Sequence, residues 1–201
     1  MLLLALAAAV LPSRIPPVDQ CTADPSFVQF RSELRRTIAK RDTDALLKVV
    51  ADDVHASLGG HVGKKDFIEL WQLDRPMSSK VWKELGDALR LGCTMSNGVA
   101  TAPSFEDQIG ADRDAFETMI ALPGSVLGRR PNDQSAAVAR LKWHMLTMRG
   151  NWDGGPWIAV RLDDGRSGFV RRALVRSPID YRAWFRKRQG TWQMEGFLAG
   201  D

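Results

Sequence analysis

The stretch FETMIALPGSVLGRRPNDQSAAVARLKWHMLTMRGNWDGGPWIAVRLDDGRSGFV, residues 116–170, decides how the chain is divided. Its short apolar runs are Phe116 to Leu122, Val126 to Arg129, Ala137 to Leu141, His144 to Arg149, Trp157 to Leu162 and Gly168 to Val170. They alternate with Pro123-Gly124, Pro131-Asn132-Asp133, Gly150 to Gly155 and Asp163-Asp164-Gly165. Runs of this length between turn residues are the pattern of a small all-β unit. No run is long enough to be stable alone, so together they must bury one core. Closing them into a barrel would remove the exposed edges that invite aggregation.

Upstream the spacing changes to a helical one. Asp24-Pro25 supplies an N-cap and a first helical residue, and Phe27, Phe30, Leu34 and Ile38 then recur at intervals of three and four. Arg41-Asp42 breaks this helix, and Thr43 caps a second carrying Leu46, Leu47, Val49 and Val50. A looser stretch, Val54 to Gly63, precedes a third helix with Phe67, Ile68 and Trp71, which Pro76 ends. A fourth, capped by Ser78 or Ser79, buries Val81, Trp82, Leu85 and Leu89 and stops at Gly92. The expectation is an α+β protein. Residues 24–112 form a mainly helical domain, residues 116–177 a small β-barrel, and residues 178–201 a terminal β-hairpin.

Four landmarks in the β segment resemble the bacterial SH3-like (SH3b) domain over about residues 118–176. Val126 to Pro131 (VLGRRP) stands where that family has V-N-V-R-x-x-P. Ser135 to Leu141 is similar to its s-x-v-v-x-x-L strand, Trp157 to Arg161 to W-x-x-V, and Gly165 to Val170 to dG-x-x-G-[YF]-V. Asp164-Gly165 makes a hairpin turn, and Gly168 lets the neighbouring strand approach closely. The chain departs from the pattern at Gly128, which replaces an apolar residue, and at Arg130, which shortens the loop to Pro131. The resemblance implies a non-enzymatic binding module for a peptide or a cell-wall fragment.

The tail from Pro178 reads as a hairpin, with Tyr181, Trp184 and Phe185 before Gln189-Gly190 and Trp192, Met194, Phe197 and Leu198 after it. Its ending, WFRKRQGTWQMEGFLAGD, resembles the last strand pair of NTF2-like α+β cones, and FRSELRRTIAKRDTDALLKVVADDV resembles their opening helices. That resemblance implies a helical and β domain interrupted by the SH3b-like segment.

Composition sets the outer limits. The chain has 201 residues, 44% of them apolar, which is enough for one large or two small cores. Its 28 basic and 24 acidic residues are interspersed, and the formal net charge is +4. That favours a mixed solvated surface over a nucleic-acid binder. The cations do lean toward the C-terminus, from Arg161, Arg166, Arg171 and Arg172 to Arg182, Arg186 and Arg188, which suits an anionic partner. Leu2 to Leu11 is an unbroken apolar run followed by Pro12 and Pro16-Pro17. Ten residues fall short of the roughly 20 a membrane helix needs. The length suits a signal-peptide core, so residues 1–20 are expected to be a leader and the protein periplasmic or secreted, with no transmembrane span. Val18-Asp19-Gln20 before Cys21 is no lipobox. Cys21 and Cys93 suit either one disulfide of an exported chain or two unpaired thiols.

The search for chemistry finds no catalytic centre. Gly59-Gly60-His61-Val62-Gly63-Lys64-Lys65 is one residue short of a phosphate loop, and Lys65 stands where Ser or Thr should hold magnesium. Asp52, Asp53, His55 and His61 cluster without the spacing of a metal site. His144 alternates with apolar neighbours, as a core residue would, and neither Ser125 nor Ser167 lies in GxSxG. No cofactor motif is present. Of the seven tryptophans, Trp71, Trp82, Trp184 and Trp192 fall at apolar periodic positions. Trp152 sits in a glycine-rich loop that is hard to bury, so it is the leading ligand-facing ring. The binding-module reading places Trp152, Trp157 and Arg129 in the groove. The alternative is an NTF2-like small-molecule protein or enzyme with Asp53, His55 and Asp87 facing a pocket in the first domain.

Overall fold

The computed structural model describes residues 13–110 and 113–200. The apolar run Leu2 to Leu11, expected to be a leader, lies outside the described residues. In chain order the elements are α1 (Pro25–Lys40), α2 (Thr43–Val49), β1 (Val50–His55), α3 (Lys64–Leu70), α4 (Val81–Arg90), β2 (Thr94–Ser96) and β3 (Val99–Ala102). There follow β4 (Thr118–Ala121), β5 (Val126–Gly128), β6 (Ala137–Arg140), β7 (Met145–Met148), β8 (Trp157–Arg161), β9 (Ser167–Arg171), β10 (Val175–Arg176), β11 (Arg182–Arg188) and β12 (Thr191–Leu198). The fold is α+β and divides into two compact units. The first is Pro17–Gln108 with Ile179–Asp201; the second is Ile109–Pro178 with the described residues of Met1–Pro16.

In the first unit, Asp24 caps α1 by accepting from the backbone N–H groups of Ser26 (2.8 Å) and Phe27 (3.1 Å), with Pro25 at the first helical position. These contacts, the Ser26 hydroxyl first among them, hold the Asp24 carboxyl below its ordinary pKa. The helix ends at Arg41, whose left-handed backbone (φ 53°) turns its N–H back onto the last turn. The sheet order is β1-β12-β11-β3-β2, antiparallel except for the parallel β1–β12 pair. Alternation along the strands turns Val54, Ala100, Phe185 and Met194 toward the helices. There Phe27 meets Phe185 and Trp192 with ring centres 5.7 and 4.9 Å apart. Fully burying such side chains supplies roughly 1.5–3 kcal/mol each, and this is what joins the C-terminal hairpin to the N-terminal helices.

Residues 24–112 hold all four described α-helices and also contribute three of the five strands of this sheet. The strands are three to six residues long, and β1 and β2 expose polar residues, so their apolar content reads like that of loops. Residues 13–20, expected to belong to the leader, are engaged with the folded protein. Met145 donates its N–H to the Ser13 carbonyl and Ile15 donates to that of Trp143, both within the second unit. In the first unit Asp19 takes both Nη groups of the buried Arg31 at 2.8 Å.

The second unit is a seven-stranded sheet in the order β10-β4-β7-β8-β9-β5-β6. It is not closed into a barrel. The two-residue β10 gives both its residues to β4, and β6 at the other end pairs with β5 alone. Leu127, Leu146, Ile158, Val160 and Val170 fill one core. Gly168 is where β9 and β5 touch, since a Cβ there would collide with the Gly128 carbonyl oxygen. No helix among the described residues is long and apolar enough to cross a membrane.

Candidate functional site

The face of the second unit turned away from its core carries the candidate site. Along β8 and β9, Ile158↔Val170 and Val160↔Gly168 point into the core, so the alternate pairs Trp157↔Arg171, Ala159↔Phe169 and Arg161↔Ser167 point outward. Thr147 of β7 pairs with Arg161 and continues the same face, and Arg149 follows two residues on. Aromatic and guanidinium groups thus share one surface.

One end of that surface is the Trp157 cleft. The Arg171 guanidinium lies 5.0 Å from the centre of the indole ring, and its Nε donates to Asp133 at 2.8 Å. Gly128, Asn132, Ser135 and Leu174 complete a cleft of about 200 Å³. The turn that supplies this wall is pinned by Ser135, whose hydroxyl accepts the Arg130 N–H at 2.8 Å. At the other end Phe169, Thr147, Arg149 and Arg161 surround an open hollow of about 630 Å³ with Glu117 on its edge. Arg149 and Arg161 form no ion pair among the described residues, so their donors face solvent. The surface can stack planar or sugar groups on its rings and neutralise carboxylates.

Of the three residues expected in the groove, Trp157 lines the cleft. Trp152 is in the loop between β7 and β8, 42% exposed, with its Nε1–H donated to the Gly155 carbonyl (2.7 Å) and the Arg172 guanidinium 5.4 Å from its ring centre. Arg129 is exposed beyond the end of β5 and does not border the cleft. Sequence reasoning did not select Phe169, Arg171, Arg161 or Arg149. The signal was present in the alternation Trp157, Ala159, Arg161 against Phe169, Arg171, which shows once β8 and β9 are set in register.

His144 is buried, with the Lys142 backbone N–H 2.9 Å from Nδ1 and the Arg14 guanidinium 3.1 Å from Nε2. Burial, then the charges of Arg14 and Arg166, push its pKa below the ordinary value. A buried ring beside the Arg14 cation resists protonation, which suits a structural role. Burial alone would raise Asp163, but the Arg113 guanidinium at 2.8 Å and the Ser13 N–H at 3.1 Å outweigh it and hold the carboxyl low.

In the first unit Asp53 and His55 lie on β1, and Asp87 lies on α4. Asp53 binds Arg188 at 2.6 Å, and that hydrogen bond lowers its pKa. Asp87 is held by Lys83 (2.8 Å) and Arg90 on its own helix. His55 borders a cavity on the sheet face remote from the helices; Asp53 and Asp87 do not line it. Cys21 and Cys93 form a disulfide with their Cα atoms 5.6 Å apart. With both sulfurs committed to that bond and Asp19 to Arg31, the Asp19, Cys21 and Cys93 group has no donor set for a metal. Compared with protein-family models, with curated proteins and with solved structures, the chain matches none.

Proposed function

We propose that the chain is a non-enzymatic binding protein of the bacterial cell envelope, exported by its apolar N-terminal run, whose second unit is an SH3b-like module for a peptide or peptidoglycan fragment. The first unit, read as NTF2-like from its opening helices and closing hairpin, is the frame that this module interrupts in sequence. The observation that carries the reading is the outward row Trp157, Phe169, Arg171, Arg161 and Arg149, rings and cations on one face of three paired strands. A wall fragment offers both complements, flat sugar and methyl surfaces for the rings and carboxylates of its peptide stem for the guanidinium groups. Calorimetric titration of the full chain with a soluble disaccharide-peptide fragment tests the reading. Saturable binding that leaves the fragment intact is expected; cleavage of the fragment, or no heat of binding, contradicts it.

A further inference from the structure

The first unit carries a second cavity, independent of the face just described. It lies on the sheet surface opposite the helices, measures about 610 Å³, and falls within the range of small-molecule sites. Its floor is Trp184, whose indole lies on Gly196 of the neighbouring strand. A Cβ at 196 would stand 2.6 Å from the ring, so only glycine lets the indole lie flat there. Val99 and Leu198 extend the floor, and the loop after β1 forms a wall with Leu58 and Val62, which are 57% and 45% exposed. Large apolar side chains left open to solvent around one hollow mark an interaction site.

The wall is pre-shaped. Ser57 Oγ and His61 Nδ1 are 2.8 Å apart, Ala56 donates to the His61 carbonyl at 3.0 Å, and Val62 donates to Asp66 at 3.1 Å, which closes the loop into a small hairpin. The charges at the rim cancel. Of the charged side chains that line the cavity, Glu195 accepts from Arg186 at 3.1 Å, so the lining acid and base are paired. The His55 imidazole remains, exposed at the edge, with no side-chain hydrogen bond to another described residue.

We infer that this cavity is a binding site for a small, uncharged, flat apolar molecule that stacks on Trp184, is covered by Leu58 and Val62, and takes one hydrogen bond from His55. The probe is N-phenyl-1-naphthylamine, uncharged and aromatic, titrated into the full chain beside its sulfonated relative 1-anilinonaphthalene-8-sulfonate. Saturable binding is expected, with energy transfer from tryptophan, and with the sulfonate at least about tenfold weaker in this cavity, whose lining cation Arg186 is already paired with Glu195. Leu58→Ser and Val62→Ser change solvent-exposed side chains and should retain wild-type circular dichroism, yet each should weaken the probe about tenfold. Trp157→Ala in the second unit should leave probe binding unchanged, which separates this site from the proposed wall-binding face. Unsaturable binding, equal affinity for the sulfonate, or wild-type affinity in both loop variants overturns the inference.

Discussion

Arg171 lies over Trp157 with its guanidinium carbon 5.0 Å from the ring centre while its Nε binds Asp133, so one cation fixes both the indole and the turn beside it. Arg171→Ala therefore removes a cation of the proposed binding face and loosens the cleft wall together, whereas Arg161→Ala removes only an outward charge. Fragment binding should fall more than tenfold in the first variant. In the second it should fall by a smaller factor that shrinks as salt is raised. Titrations at two ionic strengths distinguish the two effects.

The disulfide joins the turn ahead of α1 to the residue before β2, 72 positions apart in sequence. Opening a loop of this size restores unfolded-state freedom worth about 2–4 kcal/mol. The Cys21→Ala, Cys93→Ala double variant should unfold at lower denaturant than the oxidised protein, and a reducing agent should shift the wild type alone. Equal midpoints for all forms would show that the bond adds nothing to stability.

His144 gives the second unit an acid-sensitive element. Its folded pKa lies below the ordinary value of 6.5, so the unfolded chain binds the proton first as pH falls. Stability contributed by the neutral ring is complete above that ordinary value and is lost as pH drops from there toward the lower folded value. Unfolding midpoints of the wild type should decline between about pH 7.5 and 5.5, and the decline should be shallower in His144→Gln.

Gly168 sits against the Gly128 carbonyl oxygen and the Leu127 side chain. Gly168→Ala should therefore cost about 1–3 kcal/mol through separation of β5 and β9, measured by urea unfolding. A neutral result would mean that the strands part without penalty.

Much of this architecture was legible in the sequence, for identifiable reasons. The four helices carry apolar stripes whose spacing placed them over the segments where they are found; Asp24 caps α1 as expected, whereas Asp42 and not Thr43 caps α2, and α3 and α4 start at Gly63 and Lys80 without a side-chain cap. The tail was legible because its two strands are long and flank Gln189-Gly190. The hairpin of β2 and β3 was overlooked although Asn97-Gly98, with φ 49° and 75°, is a strong turn signal, because its strands are only three and four residues long. β1 was missed, its Val50 being given to the second helix and Val54 and His55 to a looser stretch, because Asp52, Asp53 and His55 interrupt its apolar residues. The site was half legible. Trp157 stood out as a ring opening a strand, but its partners are cross-strand neighbours, and only register brings Arg171, Phe169 and Arg161 to its side.

The most direct test of the central claim is co-sedimentation of the full chain with insoluble peptidoglycan sacculi at two salt concentrations, comparing wild type, Trp157→Ala and Trp152→Ala. Binding that persists at the higher salt, is lost in Trp157→Ala and is largely retained in Trp152→Ala is the predicted result. Absence of binding, or binding that salt abolishes and Trp157→Ala retains, would contradict the account.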